Sequence, residues 1–320
     1  MSAVRMSTRF RELLAADGII VRPSAFDALS ARVIEAAGFN AVGISGYAVS
    51  ATLLGKPDVG LVTLSETAMV CRYVCSAVNI PVMVDADTGY GNAINVMRTT
   101  EALITAGAAG LFIEDQVEPK RCGHVKGKQL IPIEEAVGKI RAADRVRREL
   151  DPDVVLMART DARGAVGGSV EEAIRRANAY VAVGADIIFP EGPLTVDEIE
   201  RFVREIDAPI SYNRTGVSPR LSLEELEELG VKMVANPTGA LSASAIGMWD
   251  YMHAFMAEDT EFLARERRGI LNHALADFNA FIGFPEIMAL EREYLPAAEV
   301  ESRYEGSIGY RPGDAHLGMP

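Results

Sequence analysis

The sequence predicts an α/β protein, a closed (β/α)8 barrel of the TIM type with extra helices at its carboxyl end. Short apolar runs rich in β-branched residues recur eight times, and longer stretches with helical periodicity separate them. Several helical stretches end on a glycine just before the next strand, as helices often do. Eight alternating units of this kind close into a parallel barrel. A doubly wound open sheet is the alternative.

The predicted strands begin with GIIVRPS and NAVGISG. They cover residues 18–24, 40–46, 81–87, 110–115, 153–161, 185–192, 208–214 and 231–237. Stretches such as AINVMRTTEALITAG and VEEAIRRANAYVAVG lie between them and predict helices. The glycines expected to end helices are Gly38, Gly107, Gly184 and Gly230.

The chain beyond the eighth strand is too long for one closing helix. Residues 242–258 and 263–295 predict further helices, with Pro285 and Pro296 as breaks, and we expect residues 300–320 to be loosely ordered. We therefore divide the chain into a catalytic barrel over residues 1–260 and a helical extension over residues 261–320. Surplus helices need a surface to cover, so we expect the extension to pack on a neighbouring subunit.

The composition limits the possible partners and the compartment. Lys+Arg 32 against Asp+Glu 45 gives a net charge of −13, which argues against nucleic acid or an anionic membrane as a partner. No apolar run approaches the roughly 18 residues of a membrane span, and the first residues do not resemble a secretory signal. Three cysteines in a long chain favour a reducing, cytoplasmic setting.

Polar residues end one predicted strand after another, which is where barrel enzymes carry their active sites. They are Ser45, Gly46, Tyr47, Asp85, Asp87, Glu114, Asp115, Arg159, Asp161, Glu191 and Asn213. One polar strand end would mean little, but this set converges on one rim. The rim is therefore the predicted active site.

The acids of this rim predict a metal site. Asp85 and Asp87 are two apart on a predicted strand, so their side chains point to the same side, next to Glu114 of the following strand. Like charges so close need a cation, and oxygen ligands without His or Cys favour Mg2+ or Mn2+. Asp58 is a possible fourth member. Alternatively, individual acids cap the helices that follow.

Arg159 is the candidate anchor for a substrate carboxylate, because its planar guanidinium can bind that group with two hydrogen bonds. The alternative is a structural ion pair with Asp161 or Glu191. Ser45 and Gly46 offer backbone N–H groups to an anion. These residues favour a small carboxylate as the substrate.

The segment KRCGH, residues 120–124, places Cys122 beside two cations and a glycine. Positive neighbours lower the pKa of a cysteine, which suits one that moves a proton or attacks a carbon. Gly123 and Gly127 would give this loop the flexibility to close.

Three motifs, VDADTGYGN, IEDQVEPKRCGH and MARTDA, resemble in order and spacing the isocitrate lyase/phosphoenolpyruvate mutase superfamily. The similarity covers roughly residues 10–290. Within the superfamily, the length and the KRCGH loop are most similar to the 2-methylisocitrate and 2,3-dimethylmalate lyases.

The resemblance implies a barrel with a terminal helix swapped between the subunits of a homotetramer. It implies Mg2+ near Asp85, Asp87 and Glu114, with Asp58 nearby, and Cys122 as the acid on a mobile loop. Other positions match residues that bind the two fragments of the substrate. For the keto acid these are Ser45, Gly46, Tyr47 and Arg159, beside Asp85, and for the second acid Gly123, His124 and Asn213, while Glu191 matches an acid common in the lyases.

The implied reaction cleaves a 2-hydroxy di- or tricarboxylate to a keto acid such as pyruvate and an acid such as succinate or propionate. Tyr47 and a metal-activated water are the candidate bases. The divalent cation and Arg159 would stabilise the keto-acid oxygens, while His124, Arg121 and loop N–H groups would hold the other carboxylate. The alternatives are an oxaloacetate hydrolase or decarboxylase, a phosphonate mutase or hydrolase, and a carboxylate-binding barrel without turnover. Arg214, just after Asn213, departs from the lyase pattern and leaves the second half of the substrate open.

Overall fold

A computed structural model describes residues 4–123, 125–271 and 273–305 and contains all eight predicted strands, joined in one parallel sheet. The strands are β1 Ile20–Ala25, β2 Val42–Ile44, β3 Val82–Asp85, β4 Gly110–Glu114, β5 Val155–Thr160, β6 Ile187–Pro190, β7 Ser211–Asn213 and β8 Met233–Asn236. They follow chain order from β1 to β6, while β8 lies between β1 and β7. An isolated bridge from Ile188 to Ile210 brings β6 against β7. The barrel is therefore nearly closed, which confirms the predicted fold class.

Helices alternate with the strands as the periodicity predicts. They are α1 Met6–Ala15, α2 Ala28–Ala36, α3 Gly46–Val49, α4 Leu64–Ala77, α5 Ala93–Thr105, α6 Ile133–Leu150, α7 Val170–Val181, α8 Val196–Glu205 and α9 Leu223–Glu228, with a π-helical turn Ser50–Leu54 after α3. The predicted helix-ending glycines all adopt positive φ. Only glycine adopts this conformation without strain, so these four positions fix the helix ends.

The inside of the barrel changes character along its axis. Phe10 of α1 packs with Met83, Met157 and other apolar side chains that fill the amino-terminal half. Inward positions recur every second residue along a strand, so Ile20 of β1 lies in this apolar core while Arg22, two residues later, reaches the cavity above it. The apolar half holds the barrel together and leaves the polar half for a site.

The chain divides into two compact units, Met1–Ser244 and Ala245–Pro320. The last helices are α10 Gly239–Leu271, α11 Phe278–Phe281, α12 Phe284–Tyr294 and α13 Ala297–Tyr304. The assignment of residues 261–320 to an extension that packs on another subunit stays a prediction.

Two details of the predicted carboxyl-terminal region are wrong. One helix, α10, runs through the expected gap after residue 258, and residues 300–304, expected to be loosely ordered, are helical. The expected breaks do lie at the two prolines: α11 ends at Phe281 and α12 ends at Tyr294, and Pro285 and Pro296 stand at the start of the helices that follow. A proline has no N–H, and the first turn of a helix needs none there. Residues 306–320 lie outside the described part of the chain.

Among the residues that the structure describes, no helix combines the length and the apolar character that crossing a membrane requires.

Candidate active site

The carboxyl ends of the strands surround a cavity of about 340 Å³. The predicted site residues that line it are Ser45, Tyr47, Asp58, Asp85, Cys122, Gly123, Arg159, Glu191 and Asn213. Gly46, Asp87 and Glu114 contact these residues. His124 lies outside the described residues. The structure thus brings the described members of the predicted site together.

Asp85, the last residue of β3, organises the backbone around it. Its Oδ2 accepts a hydrogen bond of 3.0 Å from the Gly46 N–H, and its Oδ1 accepts one of 3.0 Å from the Asp87 N–H. The Gly46 N–H, expected to face a substrate anion, therefore binds Asp85. Asp87 was predicted to lie on the third strand, but it lies just beyond the end of β3, with φ 48°. Such a conformation is uncommon outside glycine and is often found at functional sites.

Lys120 lies among the acids. Its Nζ is 2.6 Å from Asp58 Oδ1 and 2.7 Å from Asp87 Oδ1, and all three side chains are buried. Burial alone would lower the pKa of Lys120, but the charges of the surrounding carboxylates raise it well above its ordinary value. From the sequence, Lys120 was expected to act on Cys122. The structure shows that its charge neutralises two of the proposed metal ligands.

Lys120 neutralises the buried carboxylates only in part. Burial raises the pKa of Asp87 to about 6, against the opposing effect of Lys120, and it raises the pKa of Glu114 well above its ordinary value. Within the described ranges, no three His, Cys, Asp or Glu side chains form a metal-binding group. However, the buried Oε1 of Glu114 has no hydrogen-bond partner. This acceptor and the neighbouring carboxylate oxygens fit the hard oxygen ligands that Mg2+ prefers.

Glu114 and Asp115 are adjacent in sequence but have different surroundings. Glu114 ends β4 on the inner side, beside Arg159 of β5. Asp115 accepts hydrogen bonds from the hydroxyl groups of Thr160 and Tyr180, both 2.7 Å, and from the Asp161 N–H at 3.0 Å. Asp115 therefore ties β4 to β5 and α7, while Glu114 belongs to the site.

Arg159 is surrounded by carboxylates. Its Nε and Nη2 bind Asp161 at 2.9 and 3.1 Å, and it lies 3.3 Å from Glu114 and 3.4 Å from Glu191. These charges outweigh burial and raise the pKa of Arg159 above its ordinary value. The structure thus contains the ion pairs that were the alternative for this residue. A direct role of Arg159 in substrate binding stays a prediction.

The loop that carries Cys122 is anchored at both sides of the cysteine. Gln116 accepts from the Arg121 N–H at 3.0 Å and donates to the Arg121 carbonyl at 2.8 Å, while Lys128 donates to the Gly123 carbonyl. A Cβ at Gly123 would clash with Arg159 Nη2. Glycine is needed here because the loop backbone passes directly over the arginine. Cys122 is half-buried and faces the cavity.

Tyr47 and Asn213 lie on other parts of the cavity wall. Tyr47 belongs to α3 and is 40% exposed, so it is accessible to a bound molecule. Asn213 ends β7, and its Oδ1 accepts hydrogen bonds from the N–H and the hydroxyl of Thr215. Arg214 is exposed at the surface.

Arg22 is a cavity residue that the sequence analysis missed. It is buried, it lines the cavity, and it lies against Gly43, where a Cβ would clash with its Nη1. The available signal was its spacing: Arg22 is two residues after Ile20, at an inward position of a barrel strand. The polar residues predicted for the site end their strands, whereas Arg22 lies near the middle of β1.

These features define a TIM-barrel enzyme whose chemistry takes place at the carboxyl ends of the strands. The sequence matches the phosphoenolpyruvate phosphomutase family over residues 10–256, and the chain belongs to this family. The match confirms the resemblance inferred from the three motifs.

Curated relatives differ in the activity they are named for. The chloroplastic carboxyvinyl-carboxyphosphonate phosphorylmutase of Arabidopsis thaliana is 46% identical over 253 residues, which are 78% of this chain and 74% of the relative. The 2,3-dimethylmalate lyase of Eubacterium barkeri is 40% identical over 292 residues, 90% of this chain and 98% of the relative. The 2-methylisocitrate lyase of Aeropyrum pernix is 44% identical over 253 residues, 78% and 80% of the two chains.

Solved structures share the whole architecture. A crystal structure of 2,3-dimethylmalate lyase superposes with a TM-score of 0.83 and 31% identity, covering 96% of this chain and all of the other. A phosphonopyruvate hydrolase in complex with oxalate and Mg2+ superposes with a TM-score of 0.78 and 29% identity, covering 92% of this chain and all of the other. The barrel thus matches both lyase and hydrolase structures.

Proposed function

We propose that the protein is a Mg2+-dependent carbon–carbon lyase that cleaves a 2-hydroxy di- or tricarboxylate of the 2-methylisocitrate or 2,3-dimethylmalate type. The products would be a 2-keto acid such as pyruvate and an acid such as succinate or propionate. The names of two relatives support this reaction. The observation that carries the proposal is the position of Cys122, which faces the same cavity as Asp85 and Arg159.

The proposed reaction removes a proton from the substrate hydroxyl group and adds a proton to C3. When the base takes the hydroxyl proton, the C2–C3 bond breaks, and the electron pair of that bond passes to C3, where it forms the enolate of the departing acid. The Cys122 thiol then gives its proton to C3 and becomes a thiolate, which must be protonated again before the next turnover. Tyr47 is the candidate base among the described residues because its side chain faces the cavity.

The acids and the cysteine loop have separate tasks in this proposal. Asp85, Asp87 and Glu114 would hold Mg2+, with Asp58 nearby, and the bound ion would stabilise negative charge on the keto-acid oxygens. Lys120 balances the charge of Asp58 and Asp87 through its contacts of 2.6 and 2.7 Å. The Gly123 backbone lies against Arg159, and closure of this loop over the substrate would limit the access of water to the enolate.

We propose further that the protein is a cytoplasmic homotetramer in which the carboxyl-terminal helices pack on a neighbouring subunit. The large apolar residues exposed on α10, among them Trp249, Met252 and Met256, support a partner surface of this kind. The acidic net charge gives no support to nucleic acid or anionic membrane as a partner.

The reaction is tested by measuring keto-acid release from 2-methylisocitrate, 2,3-dimethylmalate, isocitrate and oxaloacetate with Mg2+ present. The lyase proposal expects turnover of at least one 2-hydroxy acid and loss of that turnover in EDTA. Turnover of oxaloacetate alone would show a hydrolase or decarboxylase. Activity that survives EDTA would reject the metal assignment.

A phosphonate mutase or hydrolase is the second candidate, because one curated relative and one structural relative are named for such substrates. Adding phosphonopyruvate to the same panel separates the two candidates. Hydrolysis of phosphonopyruvate to pyruvate and phosphate, or its isomerisation to phosphoenolpyruvate, without cleavage of any 2-hydroxy acid would replace the lyase proposal. A barrel that only binds carboxylates would turn over none of these compounds.

A further inference from the structure

Arg22 brings a second guanidinium to the cavity. It lies on the inner side of β1, is 2% exposed, and lines the same cavity as Arg159. Gly43 of the neighbouring strand β2 leaves the space that its guanidinium fills, and a Cβ at Gly43 would also lie 2.9 Å from Ser24 Oγ. Arg22 is thus built into the barrel wall.

The two arginines differ in their counter-charges. Arg159 has carboxylates within 3.4 Å on three residues. Among the described residues, Arg22 forms no ion pair with a carboxylate, and its buried Nε has no hydrogen-bond partner. Burial lowers the pKa of Arg22 to about 10, although the charge of Asp85 acts in the opposite direction. Burying a cation without a partner is costly, so this arrangement favours binding of an anion.

Each of the two guanidinium groups lies over one ring of an aromatic pair. The rings of Phe112 and Phe189 meet edge to face with centroids 6.2 Å apart. Arg22 lies over the Phe112 ring at 6.0 Å, and Arg159 lies over the Phe189 ring at 5.1 Å. Each cation is therefore held against its own ring, at a separate place on the cavity wall. A ligand that reaches both places needs two anionic groups.

We infer that Arg22 binds a carboxylate of the substrate and makes the cavity select acids with two or more carboxylates over monocarboxylates. This inference rests on the proposed function, because it specifies the substrate class of the same cavity. A guanidinium binds a carboxylate through two charge-assisted hydrogen bonds, and the apolar rings strengthen the interaction by excluding water. Arg22 is thus a specificity-determining residue.

The test compares two inert ligands that differ in one carboxylate. Isothermal calorimetry at fixed ionic strength measures succinate and propionate binding to the wild type, Arg22→Met, Arg22→Lys and the surface control Arg175→Met. We expect Arg22→Met to weaken succinate binding about 10- to 100-fold and to change propionate binding by less than about two-fold, because a lost charge-assisted hydrogen bond has this magnitude. Arg22→Lys should keep part of the preference, and Arg175→Met all of it.

A structural role would give a different result. Met replaces a buried, unpaired cation with an apolar side chain, so the unfolding temperature of Arg22→Met should equal or exceed that of the wild type. Three results would each overturn the inference. Arg22→Met could weaken the binding of both ligands equally or leave succinate binding at the wild-type level, or the wild type could show no preference for succinate over propionate. Arg22-dependent succinate binding without cleavage of any 2-hydroxy acid would reject the lyase proposal alone.

Discussion

Residues that are neighbours in the sequence can have very different surroundings in the structure. Glu114 lies beside Arg159 in the candidate active site and Asp115 faces α7, although both are acids at the end of one strand. Successive side chains of a strand point to opposite sides, so one position separates a site residue from a structural one. Lys120 and Cys122 also differ in their surroundings: Lys120 is buried among the acids, whereas Cys122 lines the cavity.

Replacing Cys122 by Ser tests its role as the proton donor. The hydroxyl of serine is a far weaker acid than a thiol, so we expect Cys122→Ser to lower kcat by about 10²- to 10⁴-fold, the usual contribution of a general acid. Steady-state kinetics on the hydroxy acid that the wild type cleaves measures this loss. Cys75→Ser is the matched control, because Cys75 lies on α4. Unimpaired turnover by Cys122→Ser would remove this residue from the mechanism.

At the scale of elements, single side chains join the strands and helices that hold the site. Asp115 connects β4, β5 and α7, and Gln116 holds the loop of Cys122 through the backbone of Arg121. The first contact fixes the wall of the barrel, and the second fixes the start of the loop. Both begin directly after β4, so the end of this strand positions the acid Glu114 and the cysteine together.

Removing the Asp115 carboxylate should destabilise the barrel. In Asp115→Ala, the Tyr180 hydroxyl and the Asp161 N–H lose their buried acceptor, and Arg176 loses a carboxylate at 3.3 Å. We expect the free energy of unfolding to fall by about 3 to 5 kcal/mol, the usual effect of breaking a buried ion pair. Urea denaturation measures it. Glu149→Ala, an exposed acid of α6, should change it by less than about 0.5 kcal/mol. Equal effects would contradict the structural role of Asp115.

In the molecule as a whole, the buried charges in the polar half of the barrel lower the stability of the folded protein, and they provide groups that can bind a metal ion and a substrate. The buried acids Asp87 and Glu114 have raised pKa values, chiefly because of burial, and Arg22 has a lowered one for the same reason. Each shift means that burial disfavours the charged form. A bound cation would stabilise the charged forms of Asp87 and Glu114, and a bound anion would stabilise the charged form of Arg22.

Mg2+ should therefore stabilise the folded protein. A ligand that binds only the native state raises the free energy of unfolding by about 2.7 kcal/mol at one hundred times its Kd. We expect the unfolding temperature to rise by several degrees with Mg2+ and to return with EDTA, as measured by calorimetry. Glu114→Gln should reduce this shift, while Glu149→Gln should keep it. A wild type without any shift would contradict the proposed metal site.

Strand positions and the rim of polar residues could be predicted because both depend on local patterns. Short apolar runs and glycine-ended helices mark the eight strand–helix units in the sequence, and the strand ends of a parallel barrel must meet at one rim. Arg22 was missed because it lies within a strand, two residues after an apolar inward position. The expected gap in α10 was wrong because a polar stretch can continue a helix.

The barrel, the polar rim and the cysteine loop can be predicted from the sequence, because each follows from periodicity, strand direction or a contiguous motif. The fold sets which charges meet: Lys120 meets Asp58 and Asp87, Arg159 meets three carboxylates, and Arg22 meets none among the described residues. Apart from Asp161, which is two residues from Arg159, these partners come from strands and loops far apart in the chain. Their distances depend on how the strands lie side by side, which no local pattern encodes.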